Sequence, residues 1–308
     1  MRHASILQTS LPRRRTGPLV LAVAVLGAGC AGPSGTAVLD VGEVSIAGYE
    51  KPLRQIRNDP VAFLRQCLAE SRKLKTLRTE FLRQERLGGL VKRLMPAEHI
   101  IVDYRDDPFS VRFTWTDADA EYDQCVYVEG RNQNRVALLP RKGLFGLPAS
   151  IGNYPAPWGV LFNKTRNPIT DFGPRRMMER TLDRIKKAQP LGEVKINVIG
   201  LAEVGPEKQR CFHFEIRYPP RDEYACKLQD LFIDVETRLP VETRLWLTHG
   251  NKRTPETLDA VYRFTNLQPN VEVTDAHFVI EARRDKGKGS KKTQSRPVRA
   301  AATTPKRQ

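Results

Sequence analysis

The feature that most constrains this chain is a one-by-one alternation of apolar and polar side chains that returns along much of its length. Phe109, Val111, Phe113 and Trp115 are separated by Ser110, Arg112 and Thr114. Period-two spacing places the first set on one face of a strand and the second on the other, so the segment belongs in a sheet with two unlike faces. The same rhythm returns in Val194, Ile196 and Val198, in Phe212, Phe214, Ile216 and Tyr218, and in Leu258, Ala260, Tyr262 and Phe264. Further strands are expected at Cys125 to Val128, Val136 to Leu139, Leu228 to Val235, Val241 to Leu247 and, briefly, near Val271 to Val273, with turn clusters at 129–134, 219–222 and 236–238. The total is about nine or ten antiparallel strands in one large, curved meander.

Two helices accompany them. Asp59-Pro60 is a helix start, an N-cap followed by proline at the first position, and Val61, Leu64, Cys67 and Leu68 then keep helical spacing to about Leu74. The second runs from Pro174 to about Ala188, with Met178, Thr181, Leu182 and Ile185 as its inward stripe and Lys186 and Lys187 suiting its C-terminal dipole. The fold class is therefore α+β. Between strands and second helix, residues 140–169 are dense in proline and glycine and carry Phe145, Tyr154, Trp158 and Phe162. Such a loop is either a lid over an apolar site or a plug at a sheet edge.

Charge is concentrated at the two ends. The formal net charge of +16 divides into four basic groups and no acid in residues 1–30, a net +9 in residues 283–308, and only +3 in residues 31–282. A near-neutral body excludes a uniformly basic nucleic-acid surface, so no nucleic acid partner is expected. Arg13, Arg14 and Arg15, an apolar run from Leu19 to Leu26 and the small residues Gly27-Ala-Gly-Cys30 form a secretory signal pattern over residues 1–29. Leu26-Gly-Ala-Gly-Cys30 also resembles a bacterial lipobox, which makes Cys30 the expected lipid attachment site. It departs from the usual box in having Gly27 three residues before the cysteine; ordinary cleavage nearby is the alternative. Residues 30–58 read as a tether, residues 59–282 as the folded domain, and residues 283–308 as a disordered basic tail able to hold an anionic membrane surface.

Chemistry-bearing patterns are sparse. Export leaves Cys67, Cys125, Cys211 and Cys226 in an oxidising compartment. They either form two disulfides, with Cys211 and Cys226 beside one hairpin as the most local pair, or stay buried as free thiols. No metal-ligand spacing, nucleophile elbow or complete phosphate loop occurs, so no catalytic residue, metal or cofactor is assigned. His213 and Glu215 share a strand face and are most simply solvated there; Asp106, Asp107, Asp117, Asp119 and Asp123 read as loop carboxylates.

Two resemblances emerge. Asp234-Val-Glu-Thr-Arg-Leu-Pro240 continuing to Trp246, Gly250, Tyr262 to Asn270 and Thr274-Asp-Ala-His-Phe278 resemble the closing strands of LolA/LolB-type lipoprotein carriers. Arg105-Asp-Asp-Pro-Phe109, Tyr127-Val-Glu-Gly130 and Asn167-Pro-Ile-Thr-Asp-Phe-Gly173 resemble domain of unknown function 1571, over about residues 60–280. The carrier resemblance implies a LolA-like half-barrel whose apolar face, under two covering helices, binds a lipid or lipoprotein acyl chain at about 0.8 kcal/mol per buried CH₂. Phe109, Phe113, Trp115, Phe212, Phe214, Tyr262 and Phe264 are the corresponding ligand-binding candidates, though residue by residue each is better described as ordinary sheet–helix core. The expected protein is exported to the cell envelope or periplasm, anchored through Cys30, and not an enzyme. The alternatives are an interaction or sensor module of the same fold and, last, a hydrolase whose site is assembled only in three dimensions.

Overall fold

The structure, a computed structural model, describes residues 42–143, 148–219, 221, 224, 226–248 and 253–280. The signal segment, Cys30, Phe145, Gly250 and the basic tail lie outside the described residues.

Thirteen strands form one antiparallel sheet among the described residues: β1 Gly42–Glu43, β2 Thr76–Leu87, β3 Arg93–Leu94, β4 Glu98–Arg105, β5 Ser110–Trp115, β6 Tyr122–Val128, β7 Arg135–Pro140, β8 Gly152–Pro155, β9 Lys195–Val204, β10 Gln209–Arg217, β11 Leu228–Asp234, β12 Pro240–Trp246 and β13 Leu258–Pro269. Their order is β1-β9-β10-β11-β12-β13-β2-β4-β5-β6-β7-β8, with β3 paired to β2 alone. Sequence neighbours are therefore sheet neighbours nearly everywhere. The long return is the pairing of β13 with β2, Phe264 opposite Phe81, which joins the two halves of the chain. The sheet is open, since β1 and β8 lie at opposite ends of the order.

The strand count exceeds the nine or ten expected because β1, β3 and β8 are only two to four residues long and β2 and β4 hide their alternation. The inward positions of β2 are Leu77, Thr79, Phe81, Arg83 and Glu85, a mixed set that blurs any apolar stripe. One expected strand is absent. Val271 to Val273 is not paired; Val273 packs with Phe278 on Val126 and Val128, and a short 3₁₀ turn, Asp275–Phe278, capped by Thr274 and His277, follows near the end of the described residues.

Four helices are described rather than two: α1 Glu50–Asn58, α2 Pro60–Ser71, α3 Trp158–Leu161 and α4 Pro174–Ala188. The Asp59 cap forms as read, its carboxylate accepting from the Ala62 amide at 2.9 Å. The stretch expected to be tether contains α1, whose Leu53 and Ile56 are buried in the core. Only two inward residues in nine, among Lys and Arg, explain why the sequence reads as linker. Helices α1, α2 and α4 cover one sheet face and enclose the main core. None of the described helices is long and apolar enough to cross a membrane.

The described part of 140–169 acts mainly at the sheet edge. β8 pairs with β7, and Trp158 packs edge-on to Tyr122 with ring centres 5.6 Å apart. The chain then turns back beneath the helices, where Gly173, at φ 113°, starts α4 beside the Tyr104 ring.

Candidate functional site

All seven aromatic candidates lie in the main core on the helix-covered face, each no more than 8% exposed. They fall into two groups. Phe113, Tyr262 and Phe264 surround Phe81, with ring centres at 6.4, 6.2 and 5.2 Å, and Trp115 continues the array from Phe113 at 6.0 Å. Phe172, carried under the helices by the returning loop, wedges edge-on between Phe81 at 5.1 Å and Phe113 at 5.0 Å. Phe109 joins this group through Tyr104 at 5.7 Å. Phe212 and Phe214 form the second group on β10, packed against Phe63 of α2 at 5.5 and 5.7 Å. Phe81 and Phe172, the centre of the first group, are absent from the sequence candidates. Phe81 sits in the strand whose alternation is diluted, and Phe172 sits in no regular element.

The aromatic array is interrupted by a polar patch. Gln229, Thr243 and Tyr262, on neighbouring strands β11, β12 and β13, face the covering helices where the strand pattern calls for apolar residues. With Thr181 of α4 they border a cavity of about 100 Å³, partly open to solvent. The Gln229 amide donates to Thr181 Oγ1 at 3.0 Å and Thr243 Oγ1 at 2.9 Å, and its carbonyl oxygen accepts from the Tyr218 hydroxyl at 2.8 Å. Thr181 and Thr243 donate onward to the Met177 and Asp230 carbonyls. Tyr262 donates to Glu85 and accepts from Asn167 at 3.0 Å; burial, with the Glu85 charge beside it, holds its phenol pKa well above the usual value. Arg166, Arg180 and Arg184 complete the wall. A signal for this patch exists in the sequence: Gln229 and Thr243 each stand two residues before an inward leucine, Leu231 and Leu245.

On the opposite face His213 and Glu215 belong to an ion-pair network rather than to a solvated surface. His213 Nε2 lies 2.9 Å from Asp230 Oδ1, Arg253 donates to both Asp230 and Glu215, and the Trp246 indole donates to Asp230 Oδ2 at 2.8 Å. Asp123 is likewise buried and paired with Arg141 at 2.9 Å. No group of three or more His, Cys, Asp or Glu among the described residues is placed to hold a metal.

Of the two alternatives for the cysteines, the structure has the free thiols, and the candidate Cys211–Cys226 disulfide is not formed. Cys211 lies near the start of β10 and Cys226 just before β11, and in an antiparallel pair such positions lie at opposite ends. Cys211 pairs with Asp234 while Arg217 pairs with Leu228, so about six residues of strand, roughly 20 Å, separate their levels. All four described cysteines are free and buried. Burial pushes the Cys67 and Cys125 thiols up to about 12 and Cys226 up to about 11, leaving them unreactive at neutral pH.

No curated protein sequence matches the chain. Among solved structures it is similar to MucB, at 15% identity with a TM-score of 0.43, covering 72% of this chain and 63% of MucB, so it spans less than two thirds of that protein. It is also similar to the Mycobacterium tuberculosis lipoprotein LppX, at 17% identity and TM-score 0.37, covering 70% and 98% of the two chains. A LolA superfamily protein from Nitrosomonas europaea shares 6% identity at TM-score 0.30, covering 70% and 97%. The family model described as protein of unknown function DUF1571 matches residues 75–284, more than half of the chain, and this protein belongs to that family.

Proposed function

We propose that this protein is exported to the cell envelope, anchored through Cys30, and holds a lipid or acyl chain against the helix-covered face of its sheet. The observation that carries this reading is the aromatic layer. Phe81, Phe113, Phe172, Tyr262 and Phe264 form one contiguous apolar surface. Above it lie α4 and the 165–173 segment, which are held by side-chain packing and not by strand pairing. In the closed form the rings fill the space they would offer, so chain entry requires the cover to move outward. An acyl chain would then replace ring-to-helix contacts, each methylene contributing about 0.8 kcal/mol. The candidates Phe109, Phe113, Trp115, Phe212, Phe214, Tyr262 and Phe264 retain their place in this proposal as lining of the opened face.

Native mass spectrometry of the mature protein, purified in mild detergent and again after reloading with palmitate, tests it. The expected result is a bound lipid adduct; absence of any adduct in both preparations would overturn it. A second reading, an interaction or sensor module with no small ligand, draws on the filled face together with exposed apolar side chains elsewhere, Leu90, Val91, Leu161 and Phe162. That module would show no lipid adduct.

A further inference from the structure

The polar cavity beneath α4 does not suit an acyl chain and calls for its own account. Its wall holds three guanidinium groups, Arg166, Arg180 and Arg184, and no carboxylate. Arg180 and Arg184 stand one helical turn apart on α4, a like-charge spacing that works against the helix. Asp259 pairs with Arg166, and Asp171 lies 3.4 Å from Arg180. Among the described residues no carboxylate pairs with Arg184, whose contact is the Tyr218 hydroxyl. The neutral side of the wall has little left to offer, because both Gln229 N–H groups are already donated to Thr181 and Thr243. Glu85 lies behind that wall, accepting from the Tyr262 hydroxyl and the Arg166 amide. Burial, reinforced by the Arg184 charge, lowers the Arg180 pKa even with Asp171 beside it, as befits a cation short of anionic surroundings.

We propose that Arg166, Arg180 and Arg184 form a seat for a compact monoanionic oxyanion, a carboxylate or a singly charged phosphate. Guanidinium forks donate paired hydrogen bonds to such groups, and Arg184, which among the described residues pairs with no carboxylate, matches a single negative charge. The cavity, about 100 Å³, is lined mostly by polar and cationic side chains, which suits a headgroup and not a chain. Tyr262 belongs to both this wall and the aromatic layer, so the seat adjoins the surface proposed for the tail. The source of the anion rests on the lipid reading above: the ligand is an anionic amphiphile, its head on the arginines and its tail across the rings.

The test compares palmitate, its uncharged monoglyceride, acetate and inorganic phosphate by calorimetry on the full mature chain, wild type and R180Q/R184Q. K186Q/K187Q, on the exposed side of α4, serves as control, and circular dichroism checks folding. Should the double variant unfold, R184Q alone replaces it. Wild type and control are expected to bind palmitate about tenfold or more tighter than the monoglyceride. The R180Q/R184Q variant should lose that preference while binding the monoglyceride within about twofold of wild type. Equal binding of the two lipids by wild type, or an unchanged preference in the variant, overturns the seat and leaves the lipid reading standing. Binding of acetate or phosphate without either lipid supports the seat for a free anion and overturns the lipid reading. Binding of none of the four overturns both.

Discussion

Asp230 shows how much one side chain can hold in place. It is buried on β11, and it accepts from His213, Trp246 and Arg253. Desolvation alone would raise its pKa; the hydrogen bonds from His213 and Arg253, and the arginine's charge, outweigh that and lower it to about 2. A carboxylate depressed below its unfolded value of about 3.9 stabilises the fold fully above pH 4. That contribution fades as pH falls through the interval down to about 2. Asp230→Asn keeps the shape but removes the charge under Arg253, and is expected to cost about 3 kcal/mol at pH 7, the scale of breaking a buried pair. Urea midpoints measured from pH 6 to pH 2 should show the gap between wild type and variant narrowing below pH 4. A gap constant with pH would assign the loss to packing. None of this network is visible in Leu228-Gln-Asp-Leu231, because its members come from β10, β11, β12 and the loop before β13 and meet only across the ladder.

At the scale of elements, legibility followed local signals. α2 and α4 announce themselves through Asp59-Pro60 and Pro174 and through inward stripes that the packing confirms, including Leu64, Cys67, Met178 and Ile185. α1 and β2 lack such signals because polar residues occupy much of their inward or flanking positions. The 165–173 segment is the least legible piece, yet it supplies Phe172 to the centre of the aromatic layer. Phe172→Ala is expected to destabilise by about 3–5 kcal/mol, since the ring touches Phe81, Phe113 and Phe264 from the helix side and its space cannot collapse without moving α4. Phe162→Ala, whose ring is 65% exposed in the same stretch of chain, should change stability by less than about 0.5 kcal/mol. Equilibrium urea unfolding of both variants checks the contrast. Equal costs would mean that Phe172 is not a buried wedge.

For the whole molecule, the aromatic part of the candidate site was readable because period-two spacing commits residues to one sheet face wherever the strands lie. The cationic cavity was not, because Arg166 comes from a loop and Arg180 and Arg184 from a helix, and only packing onto β11, β12 and β13 brings them together. Charge balance, by contrast, is a property of the chain as written: residues 31–282 carry +3 and residues 283–308 carry +9. A near-neutral body gives little sustained attraction to a negative surface, whereas basic residues near an anionic bilayer contribute about 1 kcal/mol each until salt screens them. Membrane attraction should therefore reside in the tail. With Cys30→Ser in both chains to exclude the proposed acyl anchor, the chain from residue 30 is expected to bind vesicles rich in anionic lipid more than about tenfold better than the same chain lacking residues 283–308, at about 20 mM salt. At about 500 mM salt, where the Debye length falls below that at 0.1 M, the difference should vanish. Co-sedimentation with vesicles measures it. Equal binding of the two chains at low salt would remove the tail from membrane attachment and return the question to the folded body.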